Sequence, residues 1–491
     1  GKKVGRQPHT GYDETDYDFR ADYHPNENSL LTFCLQNLEQ DDVWRTHRTI
    51  YGITWKGLSR GDDKVHSFDQ RRNLSYIKYK TDIESGLFDG LEVSLSHHAQ
   101  EEDLYRKKKD DKIELQGFDV ETWGTSVKLS SDSMIGSIVC GVDYYRDNVD
   151  SYLEKYRSDG FLEKFEIQGP VADDSTYESA GIYLEDTISV KDGLFDIVPG
   201  MRYDYSRADA EKVKNPLDGK QFSLVDDWNV VAGSLRVLVP LSANRDHVIF
   251  AGVAQGFRAP NLSDLTRYDI ARSGELEVPS PDLKPEKYLS SEIGMKSRFS
   301  DLKLKACAYH TIIDEMIIRV PTGDKAGDYL EVIKKNSGEG YIDGAEIMAE
   351  YSLSKMFSVS AALSTMYGEI DTYPSSKAEM QRDYISRLMP STAKYTARLQ
   401  QPLRRWWLEF QVVSADKADK LSADDKRDTQ RIPAGGTPAY TVCHLKGGMI
   451  IRSDVVISAS VENIFDKDYR IHGSGVNEAG RNFIVAVTCG F

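Results

Sequence analysis

Apolar and polar residues alternate with a period of two along most of this chain, and the pattern is clearest in its last ten residues. Phe483, Val485, Val487, Cys489 and Phe491 form one apolar series, while Ile484, Ala486, Thr488 and Gly490 between them are small or mixed. A strand whose side chains point alternately to two faces has that period. Both faces are too apolar for a hairpin with one side in water, so the pattern predicts a strand with lipid outside and a packed or watery lumen inside. Near the other end, Tyr17, Phe19, Ala21 and Tyr23 alternate with Asp18, Arg20 and Asp22. A short turn at 24–28 leads on to Leu31, Phe33 and Leu35 against Thr32, Cys34 and Gln36. After a polar stretch from Glu39 to Arg72, a second pair follows. One strand begins near Leu74; the other sets Leu91, Val93 and Leu95 against Glu92, Ser94 and Ser96, with a turn at 82–89 between them.

The rhythm continues to the C-terminus. Short turns fall near 131–133, 191–193, 242–245, 300–301, 354–356, 402–404 and 452–454. Longer polar connections occupy 102–113, 149–176, 207–225, 258–286, 315–338, 371–387, 417–436 and 466–481. Tight periplasmic turns and long extracellular loops are the pattern of a barrel in a bacterial outer membrane. A propeller would repeat a blade motif every ~40–50 residues, and no such repeat occurs. The predicted fold class is all-β: a transmembrane antiparallel β-barrel with roughly nineteen strands in this chain. The first and last strands both run from a long segment to the short-turn side, whereas a closed single-chain bacterial barrel has an even number of strands. The expectation is therefore a barrel of about 22 strands. Residues 1–491 would be its barrel domain, with Gly1 on the extracellular side and an odd number of N-terminal strands missing.

Composition is compatible with this. No stretch approaches the ~18 continuous apolar residues of a membrane helix, and mean hydropathy is −0.49. A barrel accommodates both, because half its strand residues face a polar interior. The formal net charge of −16 argues against nucleic acid as a partner, which needs a basic face. Cysteines 34, 140, 307, 443 and 489 show no metal-ligand spacing and read as small apolar fillers. Twenty-seven Tyr and six Trp suit aromatic girdles at the two membrane interfaces. The sequence has no nucleophile elbow, no HExxH and no Gly-rich phosphate loop leading into a helix, so an enzyme is not expected. The acid pairs Asp62-Asp63 and Asp110-Asp111 lie in polar loops and read as solvated.

Several segments resemble, in order, those of the TonB-dependent outer-membrane receptors. Gln255 to Leu265 (QGFRAPNLSDL) resembles the family's GFRAPxLxEL segment at the top of a mid-barrel strand. Ser280 to Glu286 (SPDLKPE) is similar to its NPxLKPE, and Ser291 to Lys296 to the strand that comes next. Pro199 to Asp204 resembles a PGLRYD strand, Asn336 to Glu346 an N.G...GxE strand, and Arg427 to Pro438 a late loop. Val461 to Arg470 resembles the VxNLFDKxYR close. The residues themselves are compatible with these matches. Arg202 and Asp204, like Glu292 and Lys296, share strand parity and would line a polar lumen, leaving Met201, Tyr203, Ile293 and Met295 to lipid. Pro260 cannot donate to a ladder and is expected to end its strand. Arg258 just before it is either part of a strand-to-loop corner or a ligand contact.

The resemblance implies a receptor in the bacterial outer membrane that imports a scarce metal chelate: haem, a ferric siderophore or cobalamin. It implies no intrinsic cofactor. The implied partners are outer-membrane lipid, the TonB energy-transducing complex, and a small chelate or a haemoprotein. The family's plug, which fills the lumen and carries the segment gripped by TonB, has no counterpart in this chain. The alternative is thus a plug-less barrel serving as a passive pore or as a structural subunit of a larger assembly. Pro8 to Tyr12 (PHTGY) and Arg431 to Pro438 (RIPAGGTP) look most like the haem and haemoprotein branch, in which a His commonly sits in the loop corresponding to 261–280. This loop has no His; its candidate iron ligand is Tyr268, and a phenolate is a competent axial group. His98 shares parity with Glu92, Ser94 and Ser96 and should face the lumen. The candidate ligand-binding residues are therefore His98, Arg258 and Tyr268.

Overall fold

The computed structural model describes residues 7–83, 86–132, 136–191, 193–270, 275–326, 328–375, 379–403 and 405–490. Among them the alternating segments form one antiparallel sheet of 23 strands. Four are short pieces within loops: Leu162–Phe165, Asp269–Ile270, Leu276–Glu277 and Gln381–Tyr384. The other nineteen pair each with the next, from Asp13–Asn26 to Asn482–Cys489.

Register fixes the two faces. Tyr79, Val93, Val127, Val142, Ile182 and Tyr203 lie side by side across six neighbouring strands. One residue along each strand, the row reads Lys80, Glu92, Lys128, Gly141, Tyr183 and Arg202. The apolar row faces lipid and the polar row the lumen; a slip of one residue would exchange them. The lumenal side satisfies its own charges. Arg202 donates to Asp143 at 2.9 Å and to Asp204 at 2.8 Å. The large apolar side chains of Met201, Ile293 and Val485 stand exposed on the outside, where the bilayer covers them. Some lumenal rings lie flat across a glycine on the adjacent strand. A Cβ on Gly344 would sit 2.1 Å from the Tyr309 ring, and one on Gly141 2.6 Å from the Tyr183 hydroxyl.

Strand ends depart from the sequence reading. Much of the polar runs 102–113, 207–225 and 315–338 is strand rather than loop. Leu302–Ala326 and Tyr329–Ser352 are 25 and 24 residues long, against the ~9–11 needed to cross the hydrocarbon. Polarity marks where a strand leaves the bilayer, not where it ends, because above the membrane both faces meet water and the backbone ladder continues. As the count of strand directions leads one to expect, the last strand does not pair with the first among the described residues. Asp13–Asn26 pairs with Ser29–Trp44, and Asn482–Cys489 with Val455–Glu462. With nineteen strands alternating in direction, these two edge strands run the same way.

Candidate functional site

The GFRAP segment folds as a corner. Arg258 ends the strand His247–Arg258, and Pro260 follows it. Asn261 caps a five-residue helix, Leu262–Thr266, in a reciprocal capping box with Asp264. Leu262 and Leu265 bury against Val213, Leu224, Trp228 and Leu283. The Arg258 Nε and Nη2 donate to the two Glu286 carboxylate oxygens at 2.6 and 2.7 Å, and Nη1 donates to Asp264 at 2.5 Å. Glu286 is buried and accepts further hydrogen bonds from the Ile317 N–H at 2.9 Å and the Tyr288 hydroxyl at 2.6 Å. Lys334 ties Asp264 to Glu277, at 3.1 and 3.2 Å. Every nitrogen of the Arg258 guanidinium is engaged, so the residue holds the loop segments 259–270 and 275–285 in place.

That loop carries Tyr268 to the wall of a cavity of about 1100 Å³ at the extracellular end of the barrel. The wall is built in rows. His66, Arg106, Glu114 and Lys155 lie side by side on four strands, and the next row down is Phe68, Leu104, Gln116 and Leu153. Three of the wall's acids lie beneath their cations, while Asp269 is exposed and paired with Arg267. The side chains of Asp63, Glu114 and Glu166 are 5, 16 and 6 % exposed, against 36, 34 and 38 % for Arg106, Lys108 and Lys155. Asp63 accepts from Arg106 at 2.9 Å and pairs with His66 at 3.0 Å. Glu114 accepts from Arg106 at 3.1 Å and also from Lys108. Glu166 is held by Lys155, Lys164 and Lys214 at 2.8, 2.9 and 2.9 Å. Burial disfavours the ionised form of Glu166, but the lysine hydrogen bonds outweigh it and bring the carboxyl down to about 2. Asp63 follows the same logic: burial opposes its charge, and His66 and Arg106 prevail, holding it below its ordinary range. The Lys214 ammonium also lies 4.7 Å from the centre of the Tyr268 ring, a cation–π distance.

The three residues singled out from the sequence do not converge. Tyr268 lines the cavity, and Arg258 braces the loop that bears it. His98 faces the lumen between Leu74 and Thr122. It lies eight residues below Arg106 on the strand Gly90–Lys107, roughly 26 Å away at ~3.3 Å per residue. His98 and Tyr268 therefore cannot share one metal ion. Among the described residues no group of three or more His, Cys, Asp or Glu side chains could hold a metal ion. Asp63, read from the sequence as solvated, is buried and ion-paired, because the loop 45–64 folds back over the strand tops. The cationic rim escaped the sequence reading. Its one local signal was a same-parity basic pair at a strand top, Arg106 and Lys108.

The PHTGY and RIPAGGTP segments both brace loop 45–64. The His9 ring stacks on Trp44 at the base of the loop and lies 4.4 Å from the Tyr51 ring within it, and Arg431 Nε donates to His47 Nε2 at 3.0 Å. Burial, with the charges of Arg431 and Arg48 beside it, pushes the His47 imidazole down to about 3, so at neutral pH it is the acceptor this contact needs. Gly436 has φ +100° and a Cβ there would lie 2.0 Å from the Ala418 carbonyl oxygen, which reserves the position for glycine. Trp55 Nε1 donates to Asp468 at 2.8 Å, and buried Arg470 donates to Asn477 at 2.8 Å. Burial draws the Arg470 guanidinium down to about 10, still charged at neutral pH.

Motif order, antiparallel topology and rim cavity agree with the comparison to known families. The family described as TonB dependent receptor-like, beta-barrel, matches residues 3–464. The chain belongs to this family. TonB-dependent receptor barrels sit in the bacterial outer membrane and are not enzymes. The vitamin B12 transporter BtuB of Vibrio vulnificus (strain YJ016) is 26% identical over 414 residues, covering 75% of this chain and 59% of that protein. A hemin receptor of Yersinia enterocolitica is 26% identical over 175 residues, 33% of this chain and 23% of the receptor. The copper transporter OprC shares the fold with a TM-score of 0.76 at 16% identity, over 98% of this chain and 72% of that one. The chain thus spans less than two thirds of the length of the BtuB relative.

Proposed function

We propose that the complete protein is an energy-coupled receptor that captures a scarce metal chelate in the rim cavity and passes it inward through the barrel lumen. The observation that carries this reading is the cavity itself. It lies at the extracellular mouth of a TonB-receptor barrel, with lumen-facing strand residues and the Tyr268 loop in its wall. Haem, a ferric siderophore and cobalamin are the proposed cargoes; relatives named for vitamin B12 and hemin support two of them. If the cargo is haem, Tyr268 is the proposed axial ligand and His98 a later contact further down the lumen, with Arg258 positioning the loop. The outer membrane holds no ATP, so the TonB complex is the proposed source of energy, acting through a plug that this chain does not contain. Two parallel edge strands can be joined antiparallel by an odd number of further strands, which supports a longer barrel of about 22 strands.

Deleting the gene and measuring growth on limiting iron and uptake of each chelate tests the reading. Ligand-specific uptake that stops without TonB is the expected result. Unselective leakage of small solutes, independent of TonB, would replace the receptor with a passive pore. For haem, the Tyr268→Phe protein is expected to show a shifted Soret band and weaker binding.

A further inference from the structure

We propose that the rim cavity selects an amphiphilic anion: a chelate with a broad apolar body and carboxylate groups. This rests on the receptor reading and narrows it. The wall is layered, with His66, Arg106, Glu114 and Lys155 in one row and Phe68, Leu104, Gln116 and Leu153 in the next. A ligand that fits both rows has an apolar body for the lower one and charge for the upper.

The sign of that charge follows from the depth of the groups. The buried acids hold unequal numbers of cations: Asp63 and Glu114 share Arg106 and Lys108, whereas Glu166 alone holds Lys155, Lys164 and Lys214. Glu166 fixes its lysines in place while they stand more exposed than the carboxylate, so that side of the wall is positive. Of the two centres, the Arg106/Lys108 side is balanced by Asp63 and Glu114, and the second, the Lys155/Lys214 side, carries the excess positive charge. Arg48 adds a cation to the same wall, and among the described residues no carboxylate pairs with its side chain. The Tyr268 ring over Lys214 supplies an aromatic face beside the second centre. In a chain of net charge −16, cations gathered in one cavity also draw anions inward by their field. A neutral chelate gains nothing from that excess positive charge, whereas a carboxylate ligand forms charge-assisted hydrogen bonds with it.

The test uses an isosteric pair of probes, haemin and its dimethyl ester, which share the apolar macrocycle and differ by two carboxylates. Binding to the purified protein in detergent is followed by Trp quenching at two salt concentrations. Haemin is expected to bind, and more weakly at high salt. Esterification is expected to weaken binding at least about tenfold, since a charge-assisted hydrogen bond contributes more than the 1.4 kcal/mol of a tenfold change. Arg48→Gln, which uncovers no buried acid, should weaken haemin and leave the ester unchanged. Lys155→Gln should do the same if its heat-modifiable migration shows it folded. Equal binding of the two probes, no binding of haemin, or salt-independent binding each overturns the proposal. TonB-dependent uptake of a neutral chelate alone would sink this inference and leave the receptor reading standing; anion binding without TonB-dependent uptake would do the reverse.

Discussion

Arg258 shows what a single residue contributes to a motif read from sequence. Its guanidinium spans Glu286 and Asp264, 28 and 6 residues away, and it leaves no nitrogen free. Arg258→Ala would strand the buried Glu286 carboxylate with only the Ile317 N–H and Tyr288 hydroxyl. Breaking one side of such a pair costs about 2–4 kcal/mol, so the urea midpoint of refolding into micelles should fall clearly. Arg258→Lys should recover only part of that, because an ammonium cannot make two parallel bonds to one carboxylate. An unchanged midpoint for Arg258→Ala would remove the clamp from this account. The corner at Pro260 was legible from the missing N–H alone. The partners of Arg258 were not, since nothing local in the sequence says that Glu286 folds under it. Tyr268 was legible as the loop's one candidate ligand, whereas the cations beside it become neighbours only through the register of several strands.

At the scale of elements, alternation located the strands and polarity misplaced their ends. Lys155 and Lys214 lie in strands that project above the bilayer, and both hold Glu166 in the connection before Asp173–Val190. The pH dependence of this connection follows from that carboxylate. Its folded value of about 2 lies below the ordinary 4.5. Its contribution is therefore complete above pH 4.5 and disappears as pH falls toward 2. Amide exchange across 157–172 should be equally slow at pH 7 and pH 5, once corrected for intrinsic rates, and should quicken progressively at pH 4 and 3. Glu166→Gln should exchange faster at every pH and lose most of that dependence. A mutant profile that tracks the parent would mean that other contacts hold the segment. Loops 45–64, 417–436 and 466–481 behave as one unit for a different reason: buried His47 and Arg470 join them, and neither contact could be foreseen from spacing.

For the whole molecule the governing fact is the pair of open edges. Among the described residues Asp13–Asn26 and Asn482–Cys489 are each paired on one side only, and they run in the same direction. In hydrocarbon each unsatisfied group costs several kcal/mol, so a sheet open at these strands would not rest in a bilayer. Direct pairing of the two edges would be parallel and would break the antiparallel order; an odd number of intervening strands restores it. Parity was legible in the sequence because it needs only the count of turns and loops, and it does not depend on where any strand ends. The expected outcome is that, in outer membranes, the edge-facing amides of both strands are as protected from exchange as those of Gly90–Lys107, which is paired on both sides. Intact mass of the same folded material should then exceed that of the 491 residues, or a second polypeptide should co-purify with it. Protection at both edges with neither extra mass nor a partner would mean direct parallel closure. Rapid exchange at both edges in the membrane would mean that the barrel is open there, and the proposal of added strands would fall.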